Sequence, residues 1–130
     1  MAVDPHEIVA RARALKGVPF RLQGRDRSGL DCVGLVAEAC GLGDVAPRDY
    51  ALRGTRIAAA SAALGRHFLQ RPTNRPEPGD VLLIAMDPVQ LHLAIWTGAT
   101  IVHAHAGLRR VVETPGCPDG LRAIWKLKEG

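Results

Sequence analysis

The apolar pattern of this chain changes period once, and that change limits what it can fold into. Up to residue 65 the apolar positions recur at helical spacing; from residue 81 they fall in short runs of strand length. Ile8, Val9, Ala12 and Leu15 make one helical stripe. Asp4 can cap it, Pro5 suits the first helical position, Glu7 stands three after the cap, and Gly17 closes the helix. Residues 30–40 read as a buried helix that ends at Gly41 or Gly43, with Cys32 in its first turn. The Ala-rich stretch 54–65 reads as a third helix, and 71–79, with three prolines, as a connector. Strands are predicted over 81–86, 92–97, 101–105, 110–113 and 121–127. Helices first and strands after predict an α+β fold with a mostly antiparallel sheet, not an alternating doubly wound one. At 130 residues the chain fits one domain, 1–130, around one core.

Several function classes drop out. No apolar run approaches the roughly 18 residues that span a bilayer, so no transmembrane segment is expected. The first residues have neither the basic nor the apolar stretch of a secretory signal, so synthesis in the cytoplasm without a signal peptide is expected. The net charge of +4 leans only mildly toward acidic partners. Aromatic residues are 4% of the chain, too few for base stacking, and nucleic acid is not an expected partner. Cys32, Cys40 and Cys117 contain no C-x-x-C pair. On one helix Cys32 and Cys40 would stand about 12 Å apart, too far for a disulfide, so free thiols are expected.

One of those thiols has a reactive position. Cys32 at a helix N-terminus would feel the positive end of the helix dipole, which favours the thiolate; the plain alternative is a buried apolar cysteine. His92 opens the run His92-Leu-Ala-Ile-Trp96. On a strand it shares a face with Ala94 and Trp96, while Leu91, Leu93 and Ile95 share the other, and the leucine face reads as core. His92 would then project from the opposite face, toward the Cys32 helix. His103 and His105 share one strand face, and a turn at Gly98-Ala99 can bring His103 beside His92. A cysteine, a base histidine and an orienting third group make a nucleophile triad. The competing readings are three unrelated polar positions, or a metal site built from Cys32, His92, His103 and His105, whose spacing is not that of a zinc motif. Gly41-Leu42-Gly43 is too short for a dinucleotide fingerprint. Arg11, Arg13, Arg21, Arg25 and Arg27 can form a basic face near the cysteine.

Taken in order, four segments resemble one family. Gly17-Val-Pro-Phe-Arg21, followed by Gly29-Leu-Asp31-Cys32-Val-Gly34-Leu-Val36, resembles the nucleophile region of the NlpC-type cell-wall cysteine peptidases. Pro78-Gly79-Asp80 with the apolar run after it, His92-Leu-Ala-Ile-Trp-Thr-Gly98, and Ile101-Val-His103-Ala104 resemble the later strands of that family. The resemblance covers about residues 7–127 and is strongest to the short peptidases of phage tails and phage-like gene transfer agents, where an Asp-Cys-Val-Gly-Leu variant occurs.

The resemblance implies a reduced papain-like α+β fold with N-terminal helices packed on the sheet. It implies a peptidoglycan endopeptidase that cuts stem peptides, often between D-glutamate and diaminopimelate or lysine, with no cofactor and no metal. By position it makes Cys32 the nucleophile, His92 the base and His103 the third member, and places Phe20, Asp31, Arg21 and His105 on the substrate side. It further implies a tail-tip or baseplate partner and delivery by a phage-like particle to the periplasm. An inactive baseplate module and a related thiol amidase are the other readings. The sequence departs from the family twice: Phe20 stands where a tyrosine is common and cannot supply its hydroxyl, and Val33 replaces the serine that usually comes after the nucleophile.

Overall fold

The computed structural model describes residues 3–42, 57–87 and 90–128. Gly43 and positions 54–56 of the predicted third helix lie outside the described residues. The first helix, α1 (Pro5–Ala14), starts where its cap predicts: the Asp4 carboxylate accepts a 2.7 Å bond from the His6 amide. The loop after it is more ordered than its polarity suggests, because it contains a two-stranded antiparallel ribbon, β1 (Arg25–Asp26) and β2 (Gly29–Leu30). Next come α2 (Cys32–Ala39) and α3 (Ile57–Leu64). Six strands complete the chain: β3 (Phe68–Arg71), β4 (Val81–Asp87), β5 (Gln90–Trp96), β6 (Thr100–His105), β7 (Arg110–Pro115) and β8 (Leu121–Leu127).

These six strands form one sheet in the order β3-β8-β4-β5-β6-β7, and every neighbouring pair is antiparallel. The α+β architecture is therefore as the change of period predicts. β3 was not expected. It is a four-residue edge strand whose alternation is too short to read, and it is held by pairing with β8 at the far end of the chain.

Both faces of the central strands are buried, which is why 81–84 reads as a continuous apolar run and not an alternating one. On one face Ile8 and Ala12 of α1, Leu35 and Val36 of α2, and Leu64 of α3 pack with Leu91, Leu93, Ile95, Val102 and Ala104. On the other, Leu82, Ile84, Ala94, Trp96, Ile101 and Ile124 form a second cluster. The leucine face of β5 thus does belong to the core, but it is also the face that receives the Cys32 helix. The expectation that this helix would meet the His92 face is corrected.

Two local devices fix the connecting segments at the edges of the sheet. Gly79 has φ +91°, and Asp80 beside it is buried, accepting the Glu77 amide at 2.8 Å and pairing with Arg71 Nε at 3.1 Å. At the other edge the segment after α1 runs along β7: Gly17 and Phe20 donate to Val111 O and Arg109 O, and Val111 donates to Val18 O, each at 2.9 Å. Glu113 of β7 pairs with Arg13 and Lys16. Among the described residues no helix is long and apolar enough to cross a membrane.

Candidate active site

Helix α2 begins at a rigidly anchored aspartate. Asp31 is 3% exposed and caps the helix by accepting the Gly34 amide at 2.8 Å. Its other oxygen accepts the Gln23 amide at 2.8 Å, and Arg25 Nη1 donates to the carboxylate at 3.1 Å. One carboxylate therefore fastens the 21–25 loop to the first turn of the helix. Gly34 makes the close approach possible, because a Cβ there would lie 2.0 Å from Gly24 O. The residue presented by this anchored turn is Cys32, the first of α2.

The sheet opens opposite that turn. β5 and β6 pair only at Ile95↔Val102 and Trp96↔Ile101. Beyond these pairs toward His92 the ladder stops. A strand's N–H groups lie in the plane of the sheet, and the Leu93 amide is near enough to Cys32 to favour its charged form. The start of α2 therefore sits at the opening between β5 and β6. His92 and His103 are bonded to each other from those same two strands: His92 Nε2 lies 3.0 Å from His103 Nδ1, with the rings edge-on at 81°. On the far side His103 Nε2 lies 3.2 Å from Thr114 Oγ1 on β7. His105 packs 5.6 Å from His103, centroid to centroid, and its Nδ1 accepts the Leu108 amide at 3.0 Å.

Burial dominates the electrostatics. It pushes the Cys32 thiol up to about 12; the amides of Leu93, Val33 and Cys32 itself work against that shift, and the Asp31 charge works with it. Burial brings His92 down to about 4, helped by His103 and His105, and His103 also to about 4, helped by His105. Burial thus opposes the thiolate that the helix dipole favours. Desolvation penalises the charged forms of the thiol and of both imidazoles, and the amides relieve only part of that penalty on the thiol.

The remaining sequence candidates have different surroundings. Phe20 is half-buried against the main core. Arg21 is exposed and lines a hollow of about 300 Å³ within the 21–29 loop. Asp31 faces inward on its backbone and Arg25 partners. Cys40 is buried and Cys117 exposed, both as free thiols. As for the competing metal reading, no group of three or more histidine, cysteine or acidic side chains among the described residues is arranged to hold a metal ion. Thr114 was not singled out from the sequence. Its only signal is that β5, β6 and β7 are consecutive antiparallel neighbours, so each can place one residue in a line across the sheet.

No protein-family model matches the chain, and no curated protein matches it in sequence. Solved structures match its fold. NlpC1 from Trichomonas vaginalis superposes with a TM-score of 0.69 at 16% identity, over 95% of this chain and 44% of that one. The peptidoglycan hydrolase RipB from Mycobacterium tuberculosis gives 0.64 at 21% identity, over 96% and 65%. The NlpC/p60 domain of the peptidoglycan hydrolase SagA gives 0.66 at 23% identity, over 96% of this chain and all 100% of that domain. The chain spans less than half of the Trichomonas protein. What these identities establish is the fold: the helices and antiparallel sheet are those of the papain-like NlpC/P60 domains.

Proposed function

We propose that this chain is a cysteine peptidase that hydrolyses the stem peptides of peptidoglycan. The observation that carries the reading is the opening between β5 and β6, where the first residue of α2 is a cysteine and the flanking strands supply a bonded pair of histidines. The fold shared with RipB and SagA, both peptidoglycan hydrolases, supports the choice of substrate.

In this reading Cys32 Sγ attacks a peptide carbonyl while His92 takes the thiol proton. Burial of both groups favours a proton transfer that accompanies the attack. The backbone amides of Leu93, Val33 and Cys32 offset part of the burial penalty on the charged sulfur. His103 orients His92. His92 then protonates the leaving amine, and water, activated by the same ring, releases the acyl group from sulfur. Arg21, exposed in the loop that precedes α2, suits the free carboxylates of a stem peptide. The likeness to short phage-tail peptidases extends the proposal to a D-glutamyl–diaminopimelate type of bond and to carriage by a tail-like particle that opens the wall during entry.

A second reading is a catalytically silent baseplate module, and the buried thiol favours it. Mass spectrometry of purified peptidoglycan fragments separates the two. Incubation with the protein is expected to create new stem-peptide termini that Cys32→Ala abolishes, and the new termini name the bond. Fragments left intact by both proteins under reducing conditions would replace the peptidase with the silent module.

A further inference from the structure

The bonded histidines do not end the line of polar groups across the sheet. His92 on β5, His103 on β6 and Thr114 on β7 are joined in sequence by contacts of 3.0 Å and 3.2 Å. His103 is 3% exposed, so water does not stand in for a missing partner at little cost. We propose that Thr114 is a positioning residue whose hydroxyl accepts the His103 Nε2–H and thereby sets which nitrogen of His92 is the base. The proposal rests on the reading of Cys32 and His92 as nucleophile and base.

The argument is one of proton placement. A neutral imidazole has one N–H donor and one acceptor nitrogen. Two orders fit the contacts. In the first, His92 Nε2–H donates to His103 Nδ1, His103 Nε2–H donates to Thr114 Oγ1, and His92 Nδ1 keeps a lone pair. In the second, Thr114 donates to His103 Nε2, His103 Nδ1–H donates to His92 Nε2, and the proton of His92 sits on Nδ1. Only the first leaves His92 able to take a proton from a thiol.

The first order is also the only one compatible with a charged His92. When His92 becomes an imidazolium, both its nitrogens carry protons and Nε2–H must donate to His103 Nδ1. His103 must then hold its own proton on Nε2, and the structure puts the Thr114 hydroxyl there to accept it. The thiol proton moves to the base nitrogen of His92, and every other proton in the line keeps its covalent partner.

The test reads the ring protons and the thiol without any wall substrate. Nitrogen NMR of the histidine rings is recorded for the full chain, Thr114→Val and Thr114→Ser. The rate at which iodoacetamide alkylates the Cys32 peptide is followed by mass spectrometry at neutral pH. The expected result has three parts: the His103 proton on Nε2 in the native protein, a move toward Nδ1 in Thr114→Val with Cys32 alkylation slowed about tenfold, and recovery of both in Thr114→Ser. A native protein with the His103 proton on Nδ1 overturns the proposal whether or not Thr114→Val folds. So does a folded Thr114→Val in which either the ring proton or the alkylation rate is unchanged. Because neither readout involves peptidoglycan, a chain that leaves the wall intact refutes the peptidase reading alone, while the ring protons still decide the place of Thr114.

Discussion

At the level of single residues, the side chain with the most structural consequence beside the cysteine is Asp31. Its carboxylate caps α2, holds the Gln23 amide and pairs with Arg25, and both charged side chains are almost fully buried, at 4% and 7%. Removing one member of a buried pair leaves the other charge desolvated and unpaired, which typically costs about 3–5 kcal/mol. Asp31→Ala should therefore lower unfolding stability by that order in a denaturant titration, well beyond the ~1 kcal/mol of an ordinary cap. A loss smaller than that ordinary cap value would mean that the buried Asp31–Arg25 pair does not hold the loop to the helix. The sequence made Asp31 visible as the neighbour of Cys32 and assigned it to the substrate side; it could not show that Arg25 folds back through a two-residue ribbon to meet it. The meeting of His92 and His103 was legible because each belongs to a strand segment with its own pattern, joined by the turn at Gly98. Thr114 was not, because its partner is defined only by strand register.

At the level of elements, the meeting of loop and helix depends on Gly34. Alanine is ordinarily the better helix former by about 1 kcal/mol. Here the added methyl would sit 2.0 Å from Gly24 O, a backbone atom fixed by the Asp31 anchor. Overpacking against backbone costs about 1–3 kcal/mol or more, so the clash outweighs the propensity. Gly34→Ala is expected to lower the melting temperature and to slow Cys32 alkylation, since the first turn must move away from β5. A melting temperature equal to or above that of the native protein would show that the loop yields freely. Elements with a long period were readable: α1 and the strands from β4 onward stand within a few residues of their predicted places. The placement of β8 between β3 and β4 was not, because pairing between strands distant in sequence leaves no local pattern. The face of β5 that meets α2 was misassigned for a related reason. Alternation tells that two faces differ, and when both are buried it does not tell which one a helix covers.

For the whole molecule, the same burial that shapes the site predicts a stability plateau with two separate causes for its edges. His92 and His103 titrate near 4 in the folded protein against an ordinary 6.5. As pH falls below 6.5 the unfolded chain takes up protons that the folded chain refuses, so stability drops between about pH 6.5 and 4. Cys32 and Cys40 are both raised to about 12 from 9.0. As pH rises above 9 the unfolded chain releases protons that the folded chain retains, so stability drops again on the alkaline side. Glu113 acts lower down: its folded value of about 2, set by Lys16, Thr100 and Arg13, gives stability that is lost as pH falls from 4.5 toward 2. Denaturant midpoints measured across pH should therefore be flat from about 6.5 to 9. The upper acid limb should amount to a few kcal/mol, the order that shifts of this size in two buried rings supply. His103→Gln should flatten that limb and leave the alkaline one intact, while Glu113→Gln should alter only the limb below pH 4.5. An acid limb that survives His103→Gln and His92→Gln unchanged would place its cause outside the opening between β5 and β6, and the histidines would then be solvated and not held neutral by the fold.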